Sequence, residues 1–158
     1  MYPAAGAMLW AASSLAEPGD LDLHVSATHL LDPKMSPTGG AIVLAIALTQ
    51  PESTGHLRLA SRDARTAPII HYNLLGTERD MRRMIEGVQI SRRIGRDAAF
   101  ARVVEMEMLP GASVPDEDLK QTIVEQVDIY QHPTSTVPMG PPHPAWWTPS
   151  DESTACKA

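Results

Sequence analysis

The pattern of hydrophobic positions in the first third of the chain predicts β-strands. Residues 21–28 alternate strictly between apolar and polar side chains, which is the period of a strand with one buried face. Residues 41–48 are apolar throughout and lie between a glycine pair and a proline, which predicts a central strand covered on both faces. Residues 56–60 alternate again after a turn-forming segment, so we expect this strand to lie antiparallel beside the preceding one.

The second half of the chain has a helical period. Thr77 supplies a capping hydroxyl ahead of an apolar stripe, which predicts a helix over about 78–95. Residues 103–109 predict a short strand, and the proline and acidic residues at 115–118 open a second helix. The two stripes consist of Met81, Met84, Ile85 and Val88 in the first helix and of Leu119, Ile123 and Val127 in the second.

Strands that precede helices, without a β-α-β alternation, predict an α+β fold. We expect an antiparallel or mixed sheet with helices packed on one face. The sequence contains neither a G-x-G-x-x-G turn nor a G-x-x-x-x-G-K-[ST] loop, so it does not encode a Rossmann-like dinucleotide-binding domain. The methionines at 81, 84, 106 and 108 follow the predicted periods and are expected in the core. The arginine pairs at 82–83 and 92–93 are expected on a solvated helix face.

Charge and composition exclude several classes of partner. A net charge of −6 and a pI near 5.4 provide no basic surface for nucleic acid. The longest apolar run is far too short to span a bilayer, and no basic segment leads into a signal-peptide core, so we expect a cytoplasmic chain without a membrane partner. Cys156 is the only cysteine, and the histidines lack the spacing and carboxylate company of a zinc site, so no metal site is expected.

The most distinctive candidate for chemistry is His132, in the segment 130–140. The following proline restricts the backbone of His132 to extended conformations, so its imidazole can be aimed at a partner. A histidine-proline pair without further context is more often structural. Ser135 lies nearby, but no G-x-S-x-G elbow surrounds it, so a serine nucleophile is not favoured.

This segment resembles the H-P-x-G-T-x-x-M-G signature of the glucose-methanol-choline (GMC) oxidoreductases. It departs from that signature at Ser135, where the family usually has glycine. A second motif of the family, P-x-S-x-G-x-[VIL]-x-L-x-S-x-D followed by P-x-I-x-x-N, is similar to residues 51–73, and Asp80 fits the aspartate that opens the next helix. The matching residues of the first motif are His132, Pro133, Thr136, Met139 and Gly140; those of the second are Pro51, Ser53, Gly55, Leu57, Leu59, Ser61, Asp63, Pro68, Ile70 and Asn73.

The resemblance implies a two-domain, FAD-dependent enzyme that oxidises small-molecule alcohols, with choline-type donors among them. It places residues 1–130 in a substrate-binding domain, incomplete at its amino terminus, and 131–140 in a catalytic segment that returns toward a missing N-terminal FAD domain. His132 is then the acid/base that accepts the hydroxyl proton while hydride passes to the flavin. Thr134, Ser135 and Thr136 are expected to line the flavin, and the isolated chain is expected to be inactive.

The last segment, 141–158, is expected to be an aberrant or disordered tail. Two adjacent tryptophans, Trp146 and Trp147, lie there among polar residues and prolines, while the family's downstream histidine or asparagine segment is absent. A frameshift between Gly140 and Ala145 explains both features, and an aromatic docking tail is the rival explanation. The alternative to an enzyme fragment is a non-catalytic binding module or a pseudogene product.

Overall fold

The structure is a computed structural model, and it describes residues 5–29 and 31–132. These residues form two sheets and two α-helices, with short 3-10 helices between them. The strands are β1 Ala5–Ala11, β2 Leu23–Thr28, β3 Val43–Leu48, β4 His56–Arg58 and β5 Ile69–His71. The helices are α1 Glu78–Gly95 and α2 Leu119–Gln126, and the 3-10 helices cover Pro33–Met35, Phe100–Arg102 and Asp116–Asp118.

The larger sheet is antiparallel and has the order β1-β2-β3. The predicted strand at 21–28 is confirmed as β2, but it is the central strand, and the prediction of a single buried face is wrong. Val25 pairs with Leu9 of β1 on one side and with Ile46 of β3 on the other. The prediction that 41–48 is the central strand is also wrong, because β1, which the sequence did not predict, occupies the other side of β2.

Both faces of β2 are buried in its first half. Leu23 and Val25 are buried on one face, and His24 and Ser26 are buried on the other. The indole of Trp10 lies against the imidazole of His24, with ring centroids 4.5 Å apart and planes tilted by 38°. The strand β3 is half-buried along its whole length, which agrees with its place at one end of the strand order.

Strand β4 pairs with β5 in a separate two-stranded antiparallel sheet. The expectation that it would lie beside the strand at 41–48 is therefore wrong. The intervening segment does not close a hairpin, because the backbone N–H groups of Glu52 and Ser53 donate to the carboxylate of Asp80 in α1. Side chains of β4 and β5 are exposed on both faces of this small sheet.

Helix α1 has the bounds that its sequence predicts. The Thr77 hydroxyl accepts a hydrogen bond from the backbone N–H of Asp80 at 3.2 Å, which is the expected cap. The helix packs on β2 and β3, and α2 packs against α1. Met81 and Val88 of α1 form a buried cluster with Leu119 and Ile123 of α2, as the two predicted stripes require. The α+β class with an antiparallel sheet is confirmed.

The segment 103–109 is not a strand. It follows the Phe100–Arg102 3-10 helix as irregular structure and turns, and Val103, Met106 and Leu109 are exposed. Among the described residues it pairs with no strand of either sheet, so its apolar pattern forms no β-structure. The expectation that Met106 belongs to the core is wrong for the same reason.

The chain divides into two compact units. One contains the described residues of 1–54 and 73–127, and the other contains those of 55–72 and 128–158. The first unit therefore holds the three-stranded sheet and both α-helices, and the second holds the β4–β5 hairpin and His132. Neither α-helix found among residues 5–29 and 31–132 combines the length and the apolar character needed to cross a membrane.

Candidate functional site

His132 is the sequence-predicted catalytic residue that the structure describes. Its side chain is exposed, and its imidazole lies beside the ring of Tyr130, with centroids 5.3 Å apart and planes tilted by 53°. An exposed ring leaves an open face for a partner. Thr134, Ser135 and Thr136, the predicted cofactor-binding residues, lie outside the described residues, as does the predicted tail at 141–158.

The backbone between the two rings is unusual. Gln131 has a φ of 60°, in the left-handed region that residues with a Cβ seldom adopt. This conformation turns the chain between Tyr130 and His132, so that two side chains separated by a single residue meet on one side of the backbone. The local geometry thus adds a second constraint on His132, besides the proline that follows it.

A buried carboxylate, Asp80, links the first turn of α1 to the segment before β4. Its side chain is fully buried and accepts hydrogen bonds from the backbone N–H groups of Glu52 and Ser53 and from the Ser53 hydroxyl, at 2.5 to 3.1 Å. The Ser53 hydroxyl oxygen in turn accepts from the backbone N–H of Thr77 at 3.1 Å. Two residues that carried the family resemblance, Ser53 and Asp80, are therefore in direct contact.

The guanidinium of Arg83 joins this carboxylate to a second one. Its Nε donates to Oδ2 of Asp22 at 2.7 Å, and its Nη1 donates to the Gln50 carbonyl at 2.8 Å and to Oδ1 of Asp80 at 3.3 Å. Asp22 also accepts from the backbone N–H and the hydroxyl of Ser13, both at 2.7 Å. The network therefore connects α1 to three segments of the sheet: the one after β1, the one before β2 and the one after β3.

The electrostatics of both aspartates favour the charged form. Burial alone raises the pKa of Asp22, but the hydrogen bonds from Ser13 and the charge and hydrogen bond of Arg83 outweigh it and hold that pKa below its ordinary value. Burial likewise raises the pKa of Asp80, and the Ser53 hydroxyl, the backbone N–H groups of Glu52 and Ser53 and the charge of Arg83 lower it by more. Both groups are ionised at neutral pH.

Two other motif residues hold the base of the β4–β5 hairpin. A Cβ built on Gly55 would lie 2.0 Å from the His71 carbonyl oxygen, so only glycine permits this backbone approach. The Asn73 side-chain amide donates to the Thr54 carbonyl at 3.0 Å, and Asn73 has a left-handed φ of 53°. The Ser, Gly and Asn of the second motif thus have a structural function in this chain.

The prediction that both arginine pairs of α1 form a solvated face is wrong for one member of each pair. Arg83 and Arg92 are buried, at 3% and 6% exposure, whereas Arg82 and Arg93 are exposed. Arg92 donates to Glu107 and Asp116 and to the carbonyl oxygens of Gly111 and Val114, at 2.7 to 3.0 Å. Burial lowers the pKa of Arg92, and Glu107 and Asp116 raise it by more, so it stays charged.

The spacing of polar and small residues along α1 contains a signal for the burial of its charged side chains. Asp80, Arg83, Gly87 and Ser91 recur at intervals of three or four residues, which places them along one side of a helix, and all four are buried. The row lies beside the apolar stripe and contains small or charged residues, so a reading of hydrophobic positions alone passes over it. Arg92 follows Val88 by four residues and continues the apolar stripe itself.

The described residues fit a flavin cofactor in one respect only. The exposed imidazole of His132 can face a flavin ring. The glycine pair Gly39-Gly40 leads into β3 rather than into a helix amino terminus, so this part of the chain offers no cradle for a dinucleotide phosphate. Within residues 5–29 and 31–132, no group of three or more His, Cys, Asp or Glu side chains is arranged to hold a metal ion.

Comparison with known proteins gives consistent matches. A family model described as GMC oxidoreductase matches residues 51–145. Mitochondrial choline dehydrogenase of Mus musculus is 30% identical over 123 residues, which are 77% of this chain and 21% of that protein. Pyranose dehydrogenase 2 of Leucoagaricus meleagris is 35% identical over 96 residues, which are 60% of this chain and 16% of that protein.

A solved structure gives the same result. The crystal structure of pyridoxine 4-oxidase from Mesorbium loti superposes with a TM-score of 0.74 and 27% identity, over 90% of this chain and 29% of that one. The chain spans 16% to 29% of the length of these relatives. Because the family model covers more than half of the chain and includes the histidine-proline segment, this chain belongs to the GMC oxidoreductase family and corresponds to its carboxy-terminal part.

Proposed function

We propose that this chain is the substrate-side part of an FAD-dependent oxidoreductase that acts on CH–OH donors, with His132 as its acid/base residue. The observation that supports this proposal best is the exposed imidazole of His132 within the segment that the GMC oxidoreductase model matches. Relatives named choline dehydrogenase and alcohol dehydrogenase [acceptor] suggest an alcohol as the donor.

Oxidation of an alcohol to a carbonyl removes a hydride from carbon and a proton from oxygen. When bound, FAD supplies the hydride acceptor. The His132 imidazole would accept the hydroxyl proton, and the negative charge left on the substrate oxygen would favour loss of hydride from carbon as the carbonyl forms. Imidazole suits this task because a neutral ring nitrogen is a good proton acceptor near neutral pH. The Tyr130 ring and the turn at Gln131 orient the imidazole.

The other parts of the chain have separate roles in the proposed enzyme. Residues 1–130 are the substrate-binding domain, 131–140 carry the histidine to the flavin, and 141–158 are a tail. Thr134, Ser135 and Thr136 line the flavin beside His132. The partner that completes the site is an N-terminal FAD domain. The matched relatives are long enough to contain one, because this chain covers 16% to 29% of their length. The isolated chain is inactive without that domain.

A chimeric enzyme tests this proposal. Residues 51–140 replace the matching segment of the alcohol dehydrogenase [acceptor] of Pseudomonas putida, which is 29% identical over 123 residues. Flavin bleaching by primary alcohols and by choline is then followed in the absence of oxygen. We expect His132→Ala to slow bleaching by roughly 10² to 10⁴-fold while the yellow FAD absorbance is retained.

His56→Ala is the matched control, because His56 is another exposed histidine of the inserted segment. It should leave the bleaching rate unchanged. Equal rates in the parent chimera and the His132→Ala variant would contradict the catalytic assignment. A chimera that binds FAD and is bleached by none of the alcohols would instead favour a non-catalytic binding module.

A further inference from the structure

We infer that His56 and His71 form a two-imidazole binding site for a divalent transition metal ion, with Cu²⁺ bound most tightly. His56 is the first residue of β4 and His71 the last residue of β5, and the two are directly opposite each other in the antiparallel register. Their rings are stacked, with centroids 5.1 Å apart and planes within 16° of parallel. Both side chains are exposed.

The backbone holds this pair at the anchored end of the hairpin. Gly55 precedes His56 and allows the His71 carbonyl to come close, because a Cβ there would lie 2.0 Å from that oxygen. Asn73 follows two residues after His71 and donates to the Thr54 carbonyl. Both strands are thus fixed immediately outside the histidine pair, while the connection between β4 and β5 lies at the other end. The two imidazoles are presented together before any metal binds.

The spacing suits a shared metal ion. Side chains directly opposite each other on antiparallel strands have Cβ atoms about 4.5–5.5 Å apart. A tetrahedral ion with metal–nitrogen bonds of about 2.0–2.1 Å needs its two nitrogens roughly 3.4 Å apart. Both rings are exposed, so they are free to rotate about their side-chain bonds toward this separation while the strands keep their pairing. No described residue makes a hydrogen bond to either ring that such a rotation would break.

The donor chemistry selects the metal. Two neutral imidazoles favour Cu²⁺, Ni²⁺ and Zn²⁺ over Mg²⁺ and Ca²⁺, and the usual order of affinity places Cu²⁺ above Zn²⁺. Water completes the coordination, because no third protein donor is grouped with the pair among the described residues. Arg58 shares this face of β4 two residues along, and its charge opposes the cation. Protonation of the rings competes with the metal, so acid releases it.

A bound ion would connect β4 to β5 across the hairpin. A two-stranded sheet with both faces exposed is marginally stable by itself. An ion that binds the paired strands and not the separated ones therefore stabilises the hairpin by mass action. This inference concerns the hairpin alone and does not depend on the flavin chemistry proposed for His132.

Calorimetric titration of the whole 158-residue chain with Zn²⁺ and with Cu²⁺ tests the site. We expect one ion per chain, tighter binding of Cu²⁺ than of Zn²⁺, and no binding of Mg²⁺. Because the second imidazole binds intramolecularly, His56→Gln and His71→Gln should each weaken Zn²⁺ binding on the order of 100-fold. The double variant should bind Zn²⁺ at the hairpin more weakly than either single variant, because no imidazole remains there. Zn²⁺ should also slow amide exchange in β4 and β5 of the unmodified chain only.

His29→Gln is the matched control, since His29 is an exposed histidine outside the hairpin. It should leave affinity and stoichiometry unchanged. Retained affinity in both His56→Gln and His71→Gln would overturn the inference. Equal, partial losses in all three variants would also overturn it, because they would indicate separate weak binding to scattered histidines. Amide spectra of α1 and the three-stranded sheet show whether each variant is folded.

Discussion

Arg83 donates from Nε to Oδ2 of Asp22 at 2.7 Å, and both side chains are almost fully buried. Asp22 directly precedes β2, and Arg83 lies in the second turn of α1, so the ion pair joins the sheet to the helix. The same guanidinium contacts Asp80, whose carboxylate holds the segment before β4. One cation therefore balances two buried carboxylates, and the placement of the segment 50–53 against α1 depends on all three.

Substitution of Arg83 by methionine should be strongly destabilising. Methionine keeps most of the volume but leaves Asp22 and Asp80 buried without a cation. Removal of one partner of a buried ion pair costs about 3–5 kcal/mol in free energy of unfolding. Urea denaturation measures the loss. The neighbouring Arg82→Met is the control, because Arg82 is exposed and its contact with Glu78 is 3.7 Å long, and it should stay within about 0.5 kcal/mol of the parent.

Asp80→Asn should reduce the acid sensitivity of the fold. The pKa of Asp80 is lower in the folded chain than in the unfolded one, so the unfolded state binds more protons as pH falls below about 4. Its stabilising contribution is complete above the unfolded pKa and is lost as pH falls through the folded pKa. Urea unfolding at pH 7, 5, 4 and 3 should therefore show a shallower slope below pH 4 in the variant.

The same series of urea unfolding measurements with Asp118→Asn provides the comparison. Asp118 is exposed, and its side chain makes no capping hydrogen bond. Its slope below pH 4 should match that of the parent. Identical slopes in the parent and Asp80→Asn would mean that Asp80 does not contribute to acid unfolding.

Arg92→Ala should release the segment around 107–116 from α1. Arg92 donates to two carboxylates and two backbone carbonyls there, and removal of one partner of a buried ion pair costs about 3–5 kcal/mol in free energy of unfolding. Asp116 is half exposed, so solvent offsets part of that loss. We expect destabilisation of about 2–3 kcal/mol and faster amide exchange near Gly111 and Val114. The adjacent Arg93→Ala should change neither quantity.

Gly87→Ala should destabilise the chain although alanine favours helices. A Cβ at position 87 would lie 2.6 Å from Cγ2 of Ile46 and 3.5 Å from Cδ2 of Leu23. Overpacking of this kind costs about 1–3 kcal/mol, more than the roughly 1 kcal/mol that alanine adds in a helix. Gly95→Ala is the matched control, since no atom lies within 4 Å of its added Cβ, and thermal denaturation should show it unchanged or stabilised.

Several elements could be predicted from sequence because their determinants are local. The Thr77 cap and the apolar spacing of Met81 and Val88 lie within a few turns of one helix, and α1 has the predicted bounds. The candidate catalytic residue could also be chosen from sequence, because His132 and its neighbours form a contiguous motif. Its role in proton transfer remains a prediction.

Errors arose where a residue's environment depends on a distant segment. The strand at 41–48 is apolar on both faces, yet it lies at the edge of the sheet because β1 pairs with β2. Residues 103–109 have a strand-like pattern, but they pair with no described strand. The hydrophobic pattern of a segment indicates which of its side chains can be buried. It does not indicate which other segment packs or pairs with it.

The sequence by itself determined the helices, the α+β class and the family motifs, because each depends on the spacing of residues along one stretch of chain. Only the tertiary structure decided the strand order and the burial of Arg83 and Arg92. Asp22 is 61 residues from Arg83 in sequence, and the charge of an arginine can be buried only where such distant carboxylates and carbonyls surround it. The folded chain meets that condition, and no single segment of the sequence shows it.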